Sequence, residues 1–237
     1  MIQGLVFATL AALADVAGGL LVTTPIRHSR AALNTLVGFG AGFMLSVALL
    51  EMLPNAFEVE NGLFAVLLGY LAVHLTQHVL TPHFHFGEET HEVGSRSVGV
   101  WALIGLVPHS FFDGVAIAGG YLVSAEVGFL IFIAVLLHKV PTGVSLASVM
   151  LASGNSIRSA LVAVTLLGVA TLLGALLTPA IDVLAHYGLA LAAGVTIYVA
   201  ASNLIPESQR AEGWFVPAAV FIGVVAFALI RLLLPGH

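Results

Sequence analysis

Two short segments of the chain carry side chains that could do chemistry, and they share one pattern. HSFFDGV occupies residues 109–115, and HKVPTGV occupies residues 138–144, at an offset of 29 positions. Residues four apart lie on one face of a helix, so the histidine of each segment lies one turn from its Asp or Thr. Two such faces meeting would make a site of imidazole nitrogens and oxygens. Its four members would be His109, Asp113, His138 and Thr142.

The rest of the chain has the composition of a protein that lies in lipid. Only 8% of its 237 residues are charged, whereas a soluble domain carries about 25%. Hydrophobic residues make up 59%, and the mean hydropathy is +1.09. Seven Lys and Arg residues cannot build a phosphate-binding surface, so no nucleic acid partner is expected. Because the chain contains no Cys, His, carboxylate, Met or amide groups must hold any metal.

Eight apolar stretches have the roughly 20 residues that a spanning helix needs. We therefore predict an all-α polytopic membrane protein, a bundle of eight transmembrane helices forming one transporter domain over residues 1–237. The first stretch lacks a basic flank, so we expect a retained helix and no signal peptide. The stretches are 2–24, 31–53, 62–82, 97–120, 127–152, 157–181, 187–206 and 214–234.

The positions of Lys and Arg predict the orientation, because these residues favour cytoplasmic loops. They occur in the gaps after helices one, three, five and seven and are missing from the gaps after helices two, four and six. Both termini should therefore face outward, and the loop 83–96 should be cytoplasmic. We expect an integral protein of the bacterial cytoplasmic membrane. The residues that decide are Arg27, Arg30, Arg96, Arg158 and Arg210.

The chain also repeats itself weakly. A shift of 152 residues superimposes AG, VA and P of helix two, starting at residues 41, 47 and 54, on the same letters of helix seven. Those two helices would run in opposite directions, as an inverted repeat requires, and such repeats are typical of transporters. The alternative is that small residues at helix-packing faces resemble one another by chance.

Four charged residues lie well inside predicted spans, where ionisable groups are costly and usually functional. Asp113 and Lys139 belong to the two histidine segments. For Asp15, a lone acid among small residues, we expect a hydrogen bond to a Thr or Ser. Glu51 could lie on a metal path, or it could pair with a backbone group or with Lys139.

The two segments resemble the fourth and fifth helices of the ZIP (Zrt-, Irt-like) divalent metal transporters. The family pattern H-N-x-x-[D/E]-G matches His109, Asp113 and Gly114, with Ser in the place of Asn. The pattern [H/Q]-[E/D]-x-P-[E/H]-[G/E] matches at His138, Pro141 and Gly143. The resemblance extends to helices two and seven and covers essentially the whole chain. It implies uptake of a divalent cation into the cytosol by an alternating-access, elevator-like movement, with Zn²⁺ first and Fe²⁺, Mn²⁺ or Cd²⁺ next.

The departures from the family concern a second metal. Many members bind it through three acids, and the corresponding positions here are Lys139, Thr142 and Thr171. The resemblance therefore implies one metal ion between helices four and five, beside a lysine ammonium that replaces the second ion. We expect its ligands to be His109, Asp113 and His138, with Thr142 in the same site and Met44 or Glu51 of helix two closing the shell.

Half of the ten histidines lie between the end of helix three and the following loop. They could capture released metal, sense cytosolic metal, or belong to a solvated polar loop. Glu207 could be an exit ligand or a solvated boundary residue. The histidines of this candidate relay are His74, His78, His83, His85 and His91.

Two other functions compete with transport. An intramembrane zinc hydrolase would use His74 and His78 together with His109 or Asp113, but no Glu follows His74 as in the H-E-x-x-H motif. A channel-like regulatory protein with a proton-relaying histidine cluster is the third reading. We expect a transporter and not an enzyme, with no prosthetic group, with the metal ion and the lipid bilayer as partners, and with a homodimer as an open alternative.

Overall fold

The computed structural model describes residues 2–23, 30–77, 96–208 and 214–233. These residues form helices joined by short turns and contain no strand, as the composition predicts. Each of the eight predicted stretches contains one helix, so the polytopic all-α prediction is confirmed. The helices are α1 (Ile2–Thr23), α2 (Arg30–Val47), α3 (Gly62–Leu75), α4 (Arg96–Val123), α5 (Ala125–Ala152), α6 (Ile157–Leu177), α7 (Asp182–Tyr198) and α8 (Phe215–Leu233).

Seven helices in the described part of the chain are long and apolar enough to cross a membrane. The exception is α3, whose 14 residues are apolar but short; its predicted span runs on to residue 82, beyond the described residues. Local signals set several helix ends. The hydroxyl of Ser124 caps α5 by accepting from the Val127 amide at 3.1 Å, and Ser156 caps α6 in the same way.

The helices associate in two groups. The first group is α1, α4, α5 and α6, in which α1 packs along α5 and α6, and α4 packs along α5 and α6. The second group contains the tightly packed pairs α2 with α8 and α3 with α7. Contacts of α4 with α7 and of α2 with α5 join the two groups. Both histidine segments therefore lie in the first group.

Glycines let the backbones within each group approach one another closely. A Cβ added at Gly42 of α2 would overlap the Val220 carbonyl of α8, and one at Gly194 of α7 would overlap the Val66 carbonyl of α3. Only a glycine fits where a neighbouring backbone comes so near. Gly42 and Gly194 are related by the 152-residue shift that the sequence predicts, and Val66 and Val220 by a shift of 154.

The same relation holds in the group that carries the histidines. The close contacts of α1 with α5 map onto those of α6 with α4 by shifts of 156 and 29 residues. All of these contacts join a glycine to a carbonyl of the facing helix. They are Gly143 with Asp15, Gly114 with Thr171, Gly18 with Val140, and Gly174 with Phe111.

Helices α2 and α7 also share an irregularity. Each continues through a π-helical turn, Ala48–Met52 in one and Val199–Leu204 in the other, and then through a last turn that contains a proline. The 152-residue shift places the first π-helical turn on the second. Such turns are rare and often occur at functional sites. Their paired occurrence favours a true inverted repeat over a chance resemblance.

Candidate metal centre

The structure brings three of the predicted ligands together between α4 and α5. The Nε2 atoms of His109 and His138 lie 3.5 and 3.4 Å from Oδ2 of Asp113. One ligand atom from each of the three residues lies within 4.8 Å of the others, and no described part of the chain contains another group of three His, Asp or Glu residues of this kind. All three side chains are at most 3% exposed. The pairing predicted from the two segments is therefore a real spatial cluster.

The two rings are held differently. His138 Nδ1 lies 3.0 Å from the Ala134 carbonyl, and since a carbonyl only accepts, Nδ1 must donate. In a neutral ring, Nε2 is then an acceptor. It faces the Asp113 oxygen, which is also an acceptor, so a cation between them would satisfy both atoms. His109 Nδ1 is buried and has no hydrogen-bond partner among the described residues. Imidazole and carboxylate are ligands that suit Zn²⁺.

A lysine completes the centre. Lys139 Nζ lies 3.0 Å from Oδ2 of Asp113, 3.0 Å from Oδ2 of Asp15, and 3.0 Å from the Ser110 hydroxyl. Lys139 is fully buried, and so is Asp15. The expectation that Asp15 bonds to a Thr or Ser is therefore wrong. The close contact of α1 with α5 at Gly143 places Asp15 beside Lys139.

Comparison with known proteins relates the sequence that forms this site to one family. The sequence model of the ZIP zinc transporters matches residues 85–231, more than half of the chain and all of both histidine segments. The chain belongs to the ZIP zinc transporter family.

Three named relatives show how far the similarity reaches. The chain is 29% identical over 228 residues to the zinc transporter ZupT of Enterobacter sp. (strain 638), which covers 88% of this chain and 87% of that protein. It is 28% identical over 165 residues to the zinc transporter ZIP9 of Xenopus tropicalis, covering 60% of this chain. The similarity to the mouse zinc transporter ZIP10 is 27% over 147 residues, which is 58% of this chain and 18% of that protein. The match spans about half the length of ZIP9, 51%.

The three positions that the resemblance relates to a second metal are Lys139, Thr142 and Thr171, and their assignment to such a site stays a prediction. Lys139 occupies the first position with its ammonium. Thr142 is buried, and its hydroxyl donates to the His138 carbonyl at 2.8 Å within α5. Thr171 is buried and donates to the Leu167 carbonyl at 3.2 Å within α6. Both hydroxyls therefore serve their own helices in this structure, and the role of Thr142 as a ligand stays a prediction.

The two candidate ligands from α2 and its extension have different surroundings. Met44 is fully buried in the hydrophobic core, and its role as a ligand also stays a prediction. The structure does not bring Glu51 into the cluster of three ligands. Its Oε2 lies 3.5 Å from Nε of Arg231 on α8, and Arg231 also donates to the Leu50 carbonyl at 3.0 Å. The pairing partner of Glu51 is thus Arg231, and the alternative of a pair with Lys139 is wrong, because Lys139 is taken up by Asp15 and Asp113.

The equivalent position in the repeat holds an uncharged pair. Asn203, which the 152-residue shift relates to Glu51, donates to the Gln77 side chain at 3.1 Å. Gln77 and Arg231 are related by the shift of 154 that relates α3 to α8. The two halves of the inverted repeat therefore have an equivalent side-chain contact, which is charged in Glu51 with Arg231 and neutral in Asn203 with Gln77.

The candidate cytoplasmic relay is described only at its first residue. The ring of His74 lies against Tyr198, with 5.9 Å between the ring centroids, so it packs on α7 and is not part of the cluster of three ligands. His78, His83, His85 and His91 lie outside the described residues, as does the side chain of Glu207.

Sequence reasoning missed the contact of Asp15 with Lys139. The local sequence of α1 gives an isolated acid in an apolar helix, without a neighbouring motif. The signal that could have found it is the repeat that relates α1 to α6. Gly18 lies three residues after Asp15, and Gly174 lies three residues after Thr171, so Asp15 and Thr171 occupy equivalent positions. Two glycine–carbonyl contacts in space reveal that relation, and matching letters in the sequence do not.

Proposed function

We propose that this protein is a secondary transporter that carries a divalent metal cation into the cytosol, with Zn²⁺ as the first candidate and Fe²⁺, Mn²⁺ or Cd²⁺ as further substrates. The observation that carries the proposal is the convergence of His109, Asp113 and His138 inside a bundle of membrane-spanning helices. Ionisable groups at such a depth mark substrate pathways in membrane proteins. The relatives named zinc transporters support the same class of substrate.

One metal ion at a time would occupy the centre. Its ligands would be His109, Asp113 and His138, and the Lys139 ammonium would take the place of a second ion. The ammonium lies 3.0 Å from the same Asp113 oxygen that both histidines approach. Another divalent ion at that point would meet a buried positive charge without water to screen it, which is strongly unfavourable.

Alternating access would come from movement of one helix group against the other. Within each group, glycines meet backbone carbonyls, so those helices are interlocked and would move as one body. Between the groups, an added Cβ would be less crowded: at Gly40 it would lie 3.5 Å from Leu137, at Gly119 3.4 Å from Leu189, and at Gly188 it would crowd only a methyl group of Val115, at 2.9 Å. Such contacts slide more readily than interlocked backbones. The group α1, α4, α5 and α6 would therefore carry the ion across the other group in an elevator-like step.

The protein would lie in the bacterial cytoplasmic membrane with both termini outside. The seven spanning helices and the similarity to an Enterobacter ZupT support a bacterial membrane location. The distribution of Lys and Arg supports the orientation.

The hydrolase alternative needs His74 and His78 to join His109 or Asp113. His74 instead packs on Tyr198, and no observation favours catalysis over transport. In liposomes, a transporter should move metal without hydrolysis, and a hydrolase should form product without moving metal.

The test is metal uptake by the purified protein in sealed liposomes loaded with a fluorescent Zn²⁺ indicator. Wild-type protein should raise the indicator signal with a saturable dependence on external Zn²⁺, and His138→Ala and Asp113→Asn should lower the rate at least about tenfold, as ligand loss does. Thr165→Val, an exposed residue of α6, is the matched control. Equal uptake by empty and protein-containing liposomes would overturn the proposal.

A further inference from the structure

When a metal ion binds, it and the Lys139 ammonium compete for the same carboxylate oxygen of Asp113. Its Oδ2 atom is approached by His109 and His138 at 3.5 and 3.4 Å and by Lys139 at 3.0 Å. A metal held by the two histidines would bind this oxygen and repel the ammonium beside it. Metal binding therefore requires another group that can neutralise the Lys139 ammonium.

Asp15 offers that place. Its Oδ2 already lies 3.0 Å from Lys139 Nζ, and its Oδ1 is buried without a hydrogen-bond partner among the described residues. A buried carboxylate oxygen with no partner is costly, and an ammonium has three donors to offer. The side chain of Asp15 can thus accept a donor that Lys139 withdraws from Asp113. Both Asp15 and Lys139 are inaccessible to water, so no solvent ion can do the same work.

We propose that Asp15 is a positioning residue of the transport site, which holds and neutralises the Lys139 ammonium so that Asp113 can bind the metal ion. The inference rests on the proposed function and adds a residue of α1 to a centre otherwise built from α4 and α5. The tight packing of α1 against α5 holds Asp15 beside Lys139.

The summed formal charge of Asp15, Lys139 and Asp113, without and with a bound divalent ion, predicts how each variant should bind metal. With both carboxylates ionised and the lysine protonated, Asp15, Lys139 and Asp113 sum to −1, and a divalent ion brings the centre to +1. Asp15→Asn would change those sums to 0 and +2, a value that a buried site tolerates poorly. The double variant Asp15→Asn with Lys139→Gln restores −1 and +1. Lys139→Gln alone gives −2 and 0 and should bind metal no less tightly than the wild type.

The experiment compares four proteins by two measurements. Wild type, Asp15→Asn, Lys139→Gln and the double variant are purified in detergent, and Cd²⁺ binding is measured by equilibrium dialysis with mass-spectrometric metal analysis. The same proteins are assayed for Zn²⁺ uptake in liposomes. Asp15→Asn should weaken Cd²⁺ binding and raise the KM for Zn²⁺ at least about tenfold, and the double variant should recover both to within about threefold of wild type.

Recovery in the double variant is the outcome that a merely structural role would not give. Unchanged binding by folded Asp15→Asn, or a loss that the double variant fails to recover, would overturn the inference. Asp15→Glu, which keeps the charge, covers the case in which Asp15→Asn fails to fold; a folded Asp15→Glu protein with wild-type binding supports the proposal, and one with tenfold weaker binding contradicts it. Thr178→Val, which removes a buried hydroxyl that donates to the Gly174 carbonyl at the end of α6, is the control for folding effects.

The binding measurement separates this inference from the proposed function. If wild-type protein binds Cd²⁺ but gives no uptake, the transport proposal fails, and the four binding constants still test the role of Asp15. If wild-type protein transports Zn²⁺ and Asp15→Asn behaves like it in both measurements, the transport proposal stands and the inference fails.

Discussion

Lys139 Nζ and Asp113 Oδ2 lie 3.0 Å apart inside the bundle, although the two residues are carried by different helices. Asp113 also faces the two histidines, so the lysine stands directly beside the candidate metal position. A fixed positive charge therefore lies beside the candidate metal position, which is the basis of the proposal that the lysine replaces a second metal ion.

Removing the lysine should open a second cation site. In Lys139→Ala, the carboxylates of Asp15 and Asp113 and the Ser110 hydroxyl would surround the space that the ammonium leaves. We expect the purified variant to bind two Cd²⁺ ions where the wild type binds one, because the two carboxylates then have no counter-charge. Metal analysis after dialysis measures this stoichiometry. A folded Lys139→Ala protein that still binds one ion would contradict the idea that the lysine replaces a metal.

Glycines at the close contacts should be far less tolerant of substitution than glycines between the groups. In Gly143→Ala, the added Cβ would overlap the Asp15 carbonyl, so α1 and α5 must move apart at a cost of about 1–3 kcal/mol. The measurement is the thermal unfolding midpoint in detergent. Gly40→Ala is the matched control, since its Cβ would meet Leu137 at an ordinary 3.5 Å. Equal midpoints for the two variants would argue against interlocked groups.

The predicted orientation can be tested with single cysteines, because the natural chain contains none. Glu126 and Ser159 are both exposed, one at the start of α5 and the other at the start of α6. In intact cells, a membrane-impermeant maleimide should label Glu126→Cys, because the turn after α4 is predicted to face outward, and should label Ser159→Cys only after the cells are opened. The reverse pattern would mean that the termini face the cytosol.

The histidine-rich loop should affect how uptake depends on metal concentration. Deleting residues 83–93 removes three histidines and three glutamates, which would capture or sense released metal. We expect the concentration for half-maximal Zn²⁺ uptake to change by more than the maximal rate, as measured in liposomes. If the deletion alters neither, the segment is only a linker.

Much of this account could be predicted from the sequence, because its main signals are local or periodic. The apolar stretches gave all eight helices, and the four-residue spacing in two segments gave His109, Asp113 and His138. What failed depended on which helix faces meet. Asp15 was expected to bond to a hydroxyl, yet it faces Lys139, and the alternative that paired Glu51 with Lys139 fails because Glu51 faces Arg231 on α8. Helix-to-helix contacts across more than a hundred residues leave no periodic trace in the sequence.

The inverted repeat, too, could be predicted only in part from the sequence. Five matching letters could not separate a repeat from a chance resemblance of small residues. The structure adds the paired π-helical turns and the equivalent glycine contacts, which depend on backbone geometry. Equivalent positions can also differ in charge, since the pair of Glu51 with Arg231 is charged and the equivalent pair of Asn203 with Gln77 is neutral.

The central claim is that one divalent metal ion binds between α4 and α5, and a structure determined with Zn²⁺ tests it most directly. Anomalous scattering at the zinc edge should locate one ion about 2.0–2.2 Å from a nitrogen of His109, a nitrogen of His138 and an oxygen of Asp113. Lys139 should then be held by Asp15. Zinc density at another place, with the two histidines and Asp113 unliganded, would contradict the account.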